Sequence, residues 1–357
     1  MKKILTIVGA RPQFIKAAVV SRAINKTSGL QEIIVHTGQH FDHNMSEVFF
    51  QEMEIPKPGY NLEVNSLGHG AMTGRMLEKI EEVCLAEKPD LLMVYGDTNS
   101  TLAGALAAKK IHIPVAHVEA GLRSFNMKMP EEQNRILTDR ISDILFCPTE
   151  TAINNLIREG YDNIDCTIHQ SGDVMYDAAL FYKEKGENYQ LPNGLKAGNF
   201  VLSTIHRAEN TDDLERLSFI VKALNELNKK IPVLLPLHPR TKKKIEEAGF
   251  KLDLNLIDPV GYLDMVQLLD KAKFVVTDSG GLQKEAFFFN KHCLTIRPQT
   301  EWVELIANGV NTLVNNQEEF KVGAERLLQD TKFPSLNLYG TGNAGEEIVE
   351  KIKSFLG

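Results

Sequence analysis

Three carboxylates, Asp97, Glu119 and Glu131, stand close together in the chain with Arg123 and Arg135 among them. Brought to one place, such a set drives carboxyl pKa values apart and supplies both an acid and a base, which proton transfer at carbon requires. Each residue also has a plain structural explanation: helix caps for Asp97 and Glu131, an ion pair of Glu119 with Arg123, and an i,i+4 helix pair of Glu131 with Arg135. Singly, the structural explanations are better; together, the residues favour chemistry. A second set suits a phosphate. Asp278-Ser279-Gly280-Gly281 separates an apolar run from a helical stretch, so backbone N–H groups and a helix N-terminus can approach an anion closely. An N-cap with a tight turn explains the same residues equally well. Glu285, further along that helix, is placed to accept from a ribose diol or to be an ordinary solvated helix residue. His206-Arg207 and His238-Pro239-Arg240 offer cations or neutral imidazoles toward a leaving diphosphate.

Other chemistries lose support. Gly9-Ala10-Arg11-Pro12 has an arginine in reach of a tight turn but lacks the full Gly-x-Gly-x-x-Gly pattern, which disfavours nicotinamide chemistry. No His-Glu-x-x-His spacing calls for zinc, and neither a Gly-x-Ser-x-Gly elbow nor a Walker loop is present. The expectation is an enzyme with no metal and no cofactor.

The elements that must position these residues follow from the apolar pattern. Short β-branched runs alternate with amphipathic stretches throughout, the rhythm of crossover-connected parallel sheets, so the class is α/β with two Rossmann-like domains. Arg11, Asp97, Glu119, His206, His238 and Asp278 fall just past predicted strands 4–8, 91–95, 115–118, 200–204, 233–237 and 274–277. That is where open parallel sheets bind ligands, and two such sheet mouths are expected to face one cleft. Further strands are predicted over 33–37, 144–147, 254–257 and 293–296. Helices are predicted near 12–25, 72–86, 100–109, 131–141, 150–158, 213–227, 241–248, 262–269, 282–289 and 345–355. The hinge is placed at 171–172 or in the polar, exposed stretch 182–198, which divides the chain into domains 1–170 and 171–343.

Composition narrows the partners. A chain of 357 residues is long enough for about two domains, and a net charge of −7 argues against a general polyanion binder such as a nucleic-acid protein. Any anionic ligand must therefore be met by locally placed cations. Cys84, Cys147, Cys166 and Cys293 form no Cys-x-x-Cys pair and are expected as buried thiols of a reducing compartment. The N-terminal apolar run is too short for a signal peptide, and no stretch reaches the roughly 20 apolar residues of a membrane span, so the expectation is a cytoplasmic protein.

Several motifs, taken in order, carry a resemblance over nearly the whole chain. They are Gly9-Ala-Arg-Pro-Gln-Phe-Ile-Lys16, His36-Thr-Gly-Gln-His40, Tyr95-Gly-Asp-Thr98, His117-Val-Glu-Ala-Gly-Leu-Arg123, Pro130-Glu-Glu-Gln-Asn-Arg135, Pro148-Thr-Glu150 and Thr277-Asp-Ser-Gly-Gly-Leu-Gln283. This set resembles the non-hydrolysing UDP-N-acetylglucosamine 2-epimerase family. The resemblance implies a GT-B fold, a C-terminal helix (344–357) crossing back onto the first domain, UDP binding by the second, and a homodimer. It implies cofactor-free inversion at C2 of a UDP-linked 2-acetamido sugar by elimination and re-addition of UDP through a 2-acetamidoglycal. The catalytic set it implies is Asp97, Glu119, Glu131 and His206. Substrate and UDP contacts are expected from Arg11, Lys16, Arg123, Lys128, Arg135, Arg207, His238, Ser279, Gly280, Gly281 and Glu285.

Departures from the plain N-acetylglucosamine enzymes narrow the substrate. Thr300-Glu-Trp-Val-Glu304 stands where they carry Thr-Glu-Arg-Pro-Glu, Gln39-His-Phe-Asp42 where they carry Gln-His-Arg, and Ser124-Phe-Asn-Met-Lys128 replaces their usual loop. Trp302 and Phe41 thus each stand in for a cation. The pattern is most similar to the branch that acts on UDP-2,3-diacetamido-2,3-dideoxy-D-glucuronate and makes its manno epimer for bacterial O-antigen. Lys128 or Arg207 is the candidate for the sugar C6 carboxylate, with an exposed basic residue as the competing explanation. The alternatives are a plain UDP-N-acetylglucosamine 2-epimerase, a hydrolysing epimerase, a GT-B glycosyltransferase and a catalytically idle nucleotide-sugar sensor.

Overall fold

Continuous apolar runs such as Leu91–Tyr95, buried at every position, are what a parallel strand covered by helices on both faces requires. A computed structural model describes residues 1–39, 54–186, 189–329 and 332–357. It divides into two units, Met1–Ala178 with Asn337–Gly357, and Ala179–Leu336.

The first unit holds a seven-stranded parallel sheet in the order β3-β2-β1-β4-β5-β6-β7. Its strands are β1 (Lys2–Val8), β2 (Leu30–His36), β3 (Tyr60–Asn61), β4 (Leu91–Tyr95), β5 (Val115–Val118), β6 (Ile144–Cys147) and β7 (Thr167–Gln170). The second unit holds a six-stranded sheet in the order β10-β9-β8-β11-β12-β13. These are β8 (Val201–Thr204), β9 (Val233–Pro236), β10 (Asn255–Ile257), β11 (Phe274–Thr277), β12 (Cys293–Thr295) and β13 (Asn311–Leu313). Strand order reverses between β1 and β4 in one sheet and between β8 and β11 in the other. At such switch points the loops diverge and leave a crevice at the carboxyl ends of the strands. Both reversals are in register, with Ile7 opposite Val94 and Thr204 opposite Thr277.

The helix Ala344–Leu356 buries Ile348, Val349 and Ile352 and lies against the helix Arg11–Lys26. Approach is close enough that a Cβ on Gly345 would come 2.7 Å from Val19 Cγ1. The Gly345 N–H donates to Asp177 Oδ2 at 2.9 Å, satisfying an otherwise orphaned donor of the first helical turn.

Three findings differ from the sequence expectation. Strands β3, β7 and β13 were not expected, and each is a short sheet edge. The stretch 182–198 is not wholly an exposed connection: Tyr182 is fully buried and belongs to the helix Val174–Lys185. Helices Val303–Ala307 and Gln317–Leu328 were also unforeseen. Cys84, Cys147 and Cys293 are buried free thiols, while Cys166 is half-buried. Among the described residues no helix is long and apolar enough to cross a membrane.

Candidate active site

In the first unit the loops after β1 and β4 are tied together by one buried amide. Gln13 Oε1 accepts from the N–H groups of Gly9 (2.8 Å) and Ala10 (3.1 Å). Its Nε2 donates to the Tyr95 carbonyl at 2.7 Å and faces the Thr98 and Thr101 hydroxyls at 3.0 Å. A side chain at Gly9 would force its neighbours to shift, because a Cβ would lie 2.1 Å from Ser100 Oγ and 2.3 Å from Thr37 Oγ1. This junction fixes where Arg11 and Lys16, on the helix that follows, stand relative to Asp97.

Asp97 and Glu119 each meet a cation. Arg135 Nη2 donates to Asp97 Oδ2, and Lys16 Nζ to Glu119 Oε2. All four side chains are at least two-thirds buried, so these contacts are poorly screened by solvent. Arg135 also donates through Nη1 to Glu132 Oε2 at 2.8 Å. Burial disfavours its charge, but Asp97, Glu132 and Glu119 outweigh that and hold the guanidinium more firmly protonated than usual. Glu119 has φ 74°, the left-handed region that a non-glycine residue enters at a cost of order 1–3 kcal/mol. With the backbone in that conformation its carboxylate meets Lys16 as the chain leaves β5.

Behind them lies a buried ionic chain. His117 Nδ1 donates to Asp139 Oδ1 and Nε2 to the Gly96 carbonyl, both at 2.7 Å. Asp139 Oδ2 accepts from the Gly121 N–H (3.1 Å) and Arg123 Nη1 (2.7 Å), and Arg123 Nε and Nη2 reach Glu159 at 2.7 and 2.8 Å. The structure thus corrects the expectation for Arg123. Its side chain is fully buried and directed at Asp139, Glu159 and the Leu122 carbonyl, so it braces the turn after β5 rather than facing a ligand. Nor does it pair with Glu119.

Glu131 is exposed at the start of the helix Pro130–Ile141. Lys128 is exposed on the preceding loop, where its N–H donates to Asn126 Oδ1 at 3.1 Å. Glu131 does not bond Arg135; Glu132 does, as an i,i+3 pair.

The second unit carries the anion-facing set. Asp278, fully buried, accepts from the backbone N–H groups of His206 (3.1 Å) and Arg207 (3.0 Å) and from Asn210 Nδ2 (3.1 Å). Its Oδ1 also lies 3.2 Å from His206 Nδ1. One carboxylate at the end of β11 therefore sets the loop leaving β8, with the His206 ring half exposed. Ser279 caps the helix Gly280–Phe288, its Oγ accepting from the Leu282 N–H, while the N-terminal turn holds Gly280 and exposed Gly281. A Cβ on Gly280 would come 2.5 Å from Glu301 Oε1 and 3.6 Å from both Arg207 Nη2 and Arg297 Nη1. Two guanidinium groups thus flank a helix N-terminus, whose positive dipole end adds to theirs. Trp302 Nε1 donates to the Gly280 carbonyl at 2.8 Å, and buried Lys284 places Nζ 4.4 Å from the Trp302 ring centre. Glu285, partly buried, lies on the same helix. His238 is exposed and caps the helix Pro239–Glu247 through Nδ1, which accepts from the Arg240 N–H at 3.2 Å. This is the bland explanation for His238, away from the Ser279 turn in sequence and held by its own helix.

Sequence reasoning quoted Gln13, His117, Glu132 and Glu301 within motifs but gave them no role, and it missed Arg297 altogether. Arg297 was findable by the same rule that picked Asp278, since it lies two residues past β12. The motif residues His40, Phe41 and Asp42 lie outside the described residues.

The family model described as UDP-N-acetylglucosamine 2-epimerase matches residues 22–353. A UDP-2,3-diacetamido-2,3-dideoxy-D-glucuronate 2-epimerase of Pseudomonas aeruginosa is 58% identical over 351 residues, 98% of each chain. A UDP-N-acetylglucosamine 2-epimerase homolog of Methanococcus maripaludis is 51% identical, covering 99% of each. Among solved structures, the UDP-GlcNAc 2-epimerase of Methanocaldococcus jannaschii, in complex with UDP-GlcNAc and UDP, is similar with a TM-score of 0.83 and 41% identity over 99% of each chain.

Proposed function

Because the chain belongs to the UDP-N-acetylglucosamine 2-epimerase family, and is an isomerase acting at C2 of a UDP-linked sugar, we propose that its substrate is UDP-2,3-diacetamido-2,3-dideoxy-D-glucuronate. The observation that carries the chemistry is the pair of strand-end carboxylates, Asp97 and Glu119, each in contact with a partly buried cation. A carboxylate base removes the C2 proton, the C2–H electrons form the C1=C2 bond, and the C1–O bond breaks as UDP leaves with its pair. The 2-acetamidoglycal then takes a proton at C2 on the opposite face while UDP adds back at C1. Asp97, Glu119 and Glu131 supply these acid and base roles, exchanging them between the two directions. The C2 proton is weakly acidic, so departure of UDP with oxocarbenium character must assist the base. Cations and N–H donors aimed at the diphosphate therefore stabilise the transition state more than the ground state.

In this reading the Ser279-Gly280-Gly281 turn, Arg207 and His206 bind the diphosphate, and Glu285 the ribose. Arg11 is a further contact to the nucleotide, Lys16 and Arg135 hold the acid–base cluster, and Lys128 or Arg207 pairs with the sugar C6 carboxylate. The uronate is preferred over the 6-hydroxymethyl sugar by the 58% identity to an enzyme of that name. Incubation in heavy water with each nucleotide sugar, followed by NMR, tests both parts. Deuterium should enter C2 of the uronate with appearance of the manno epimer and no free sugar. Asp97→Asn should abolish that exchange while retaining UDP affinity. Exchange at C2 of UDP-N-acetylglucosamine alone would reassign the substrate, and release of free sugar would make the enzyme a hydrolysing one.

A further inference from the structure

Glu132, beside the expected acid–base residue Glu131, has its whole carboxylate engaged. Oε1 accepts from the Phe125 N–H at 2.8 Å; Oε2 accepts from the Ser124 N–H and Ser124 Oγ, both at 2.9 Å, and from Arg135 Nη1 at 2.8 Å. Its side chain is 1% exposed. Burial raises the cost of its charge, yet the Ser124 and Phe125 donors and Arg135 hold its pKa below the ordinary carboxylate range. It sits in the first turn of its helix, where a negative charge is favoured by the helix dipole.

Arg135 stands between two carboxylates, with Nη1 on Glu132 and Nη2 on Asp97. A planar guanidinium gripped at both terminal nitrogens cannot rotate about its own plane without breaking one contact, so the Glu132 contact fixes the direction in which Nη2 meets Asp97. The Asp97 carbonyl is held separately by Asn134 Nδ2 at 2.9 Å, which leaves the carboxylate end to Arg135. The same Glu132 oxygens pin Ser124 and Phe125, the latter in the left-handed region at φ 56°, at the root of the loop that carries Lys128.

We propose that Glu132 is a positioning residue for the epimerisation: through Arg135 it sets the orientation of the Asp97 carboxylate at the C2 proton. The inference rests on the epimerase reading above. Misplacement of a reacting group by about 1 Å costs on the order of 10²-fold in rate. Glu132→Gln keeps size and one acceptor but turns an amide toward Arg135, and should lower kcat by about that factor. Calorimetric UDP affinity and KM should hold, because no contact to the nucleotide is removed. Arg135→Lys leaves the Ser124 and Phe125 anchors intact while replacing the two-ended grip with a single point charge, and should give the same kcat-selective loss even if the Glu132 variant fails to fold. In the double variant the two losses should not multiply, since both break one bridge.

A Glu132→Gln or Arg135→Lys enzyme with wild-type kcat would overturn the inference. So would losses that multiply in the double variant, or a loss carried by UDP affinity rather than kcat. A wild-type protein that places no deuterium at C2 of either nucleotide sugar would instead overturn the epimerase reading, and the positioning role with it.

Discussion

Asp139 is the centre of the buried ionic chain, and its replacement should be felt in both stability and turnover. Its side chain and those of His117 and Arg123 are fully buried. Both ring nitrogens of His117 face oxygen acceptors at 2.7 Å. Asp139→Asn removes one of the two carboxylates on Arg123. The expected cost is about 3 kcal/mol, the low end for breaking a buried pair, because Glu159 still neutralises Arg123. Asp139→Ala additionally strands the Gly121 and His117 N–H groups at about 1–3 kcal/mol each, for a total of about 5 kcal/mol or more. Urea denaturation followed by circular dichroism reads both values. The pH dependence has a definite sign. Burial alone would raise the Asp139 pKa, but the His117 and Arg123 contacts hold it below the ordinary 3.8. Its contribution is therefore present in full above pH 3.8 and is lost as pH falls through the lower folded value. Because Asp139→Ala frees the ring that holds the Gly96 carbonyl beside Asp97, turnover should fall in the Ala variant at temperatures where it is folded. If both variants unfold within 1 kcal/mol of the wild type, the electrostatic reasoning is wrong.

Other expectations are independent of that chain. Gly9→Ala should cost about 1–3 kcal/mol, because its methyl must displace Ser100 Oγ and Thr37 Oγ1, themselves bonded at 2.8 Å; an unchanged melting temperature would show the pocket to be roomier. Burial pushes the Asp177 carboxyl up to about 6, so its ionisation opposes folding: the stability it retains at low pH is lost as pH rises through about 6. Asp177→Asn should thus raise the melting temperature at pH 8 by an amount that vanishes below pH 4, and the same increment at both would refute the assignment. Lys128→Ala and Arg207→Ala are compared for the ratio of kcat/KM between the uronate and its 6-hydroxymethyl analogue. One of them should lower that ratio on the order of tenfold, and no change in either would remove both as carboxylate partners.

How far the residues announced this architecture differs between the interiors and the margins of the sheets. Leu91–Tyr95, Val115–Val118, Ile144–Cys147 and Phe274–Thr277 are interior strands buried at every position, and their mostly apolar runs gave bounds that match residue for residue. Tyr60–Asn61, Thr167–Gln170 and Asn311–Leu313 are edges, half exposed and polar, and nothing in such short runs distinguishes them from loop. Likewise Gln317–Leu328 exposes much of its surface, and its apolar residues Phe320, Ala324 and Leu327 follow a helical spacing that passes easily for a charged connection. For the site, the strand-end rule located Asp97, Glu119, His206 and Asp278, because topology alone dictates those positions. It was silent on partners. Lys16 rather than Arg123 meets Glu119, and Glu132 rather than Glu131 meets Arg135, since choice among neighbouring charges depends on helix rotation and backbone strain that spacing does not encode.

Trp302 is the sole tryptophan of the chain, and it hydrogen-bonds the carbonyl of the glycine that opens the Ser279-capped helix, with an ammonium stacked on its ring. The protein therefore carries a built-in optical probe at that turn. An anion settling on the Gly280 and Gly281 amides would alter the electric field across the indole, so the colour and yield of its emission can be titrated without any label. No second fluorophore of the same kind would blur the signal.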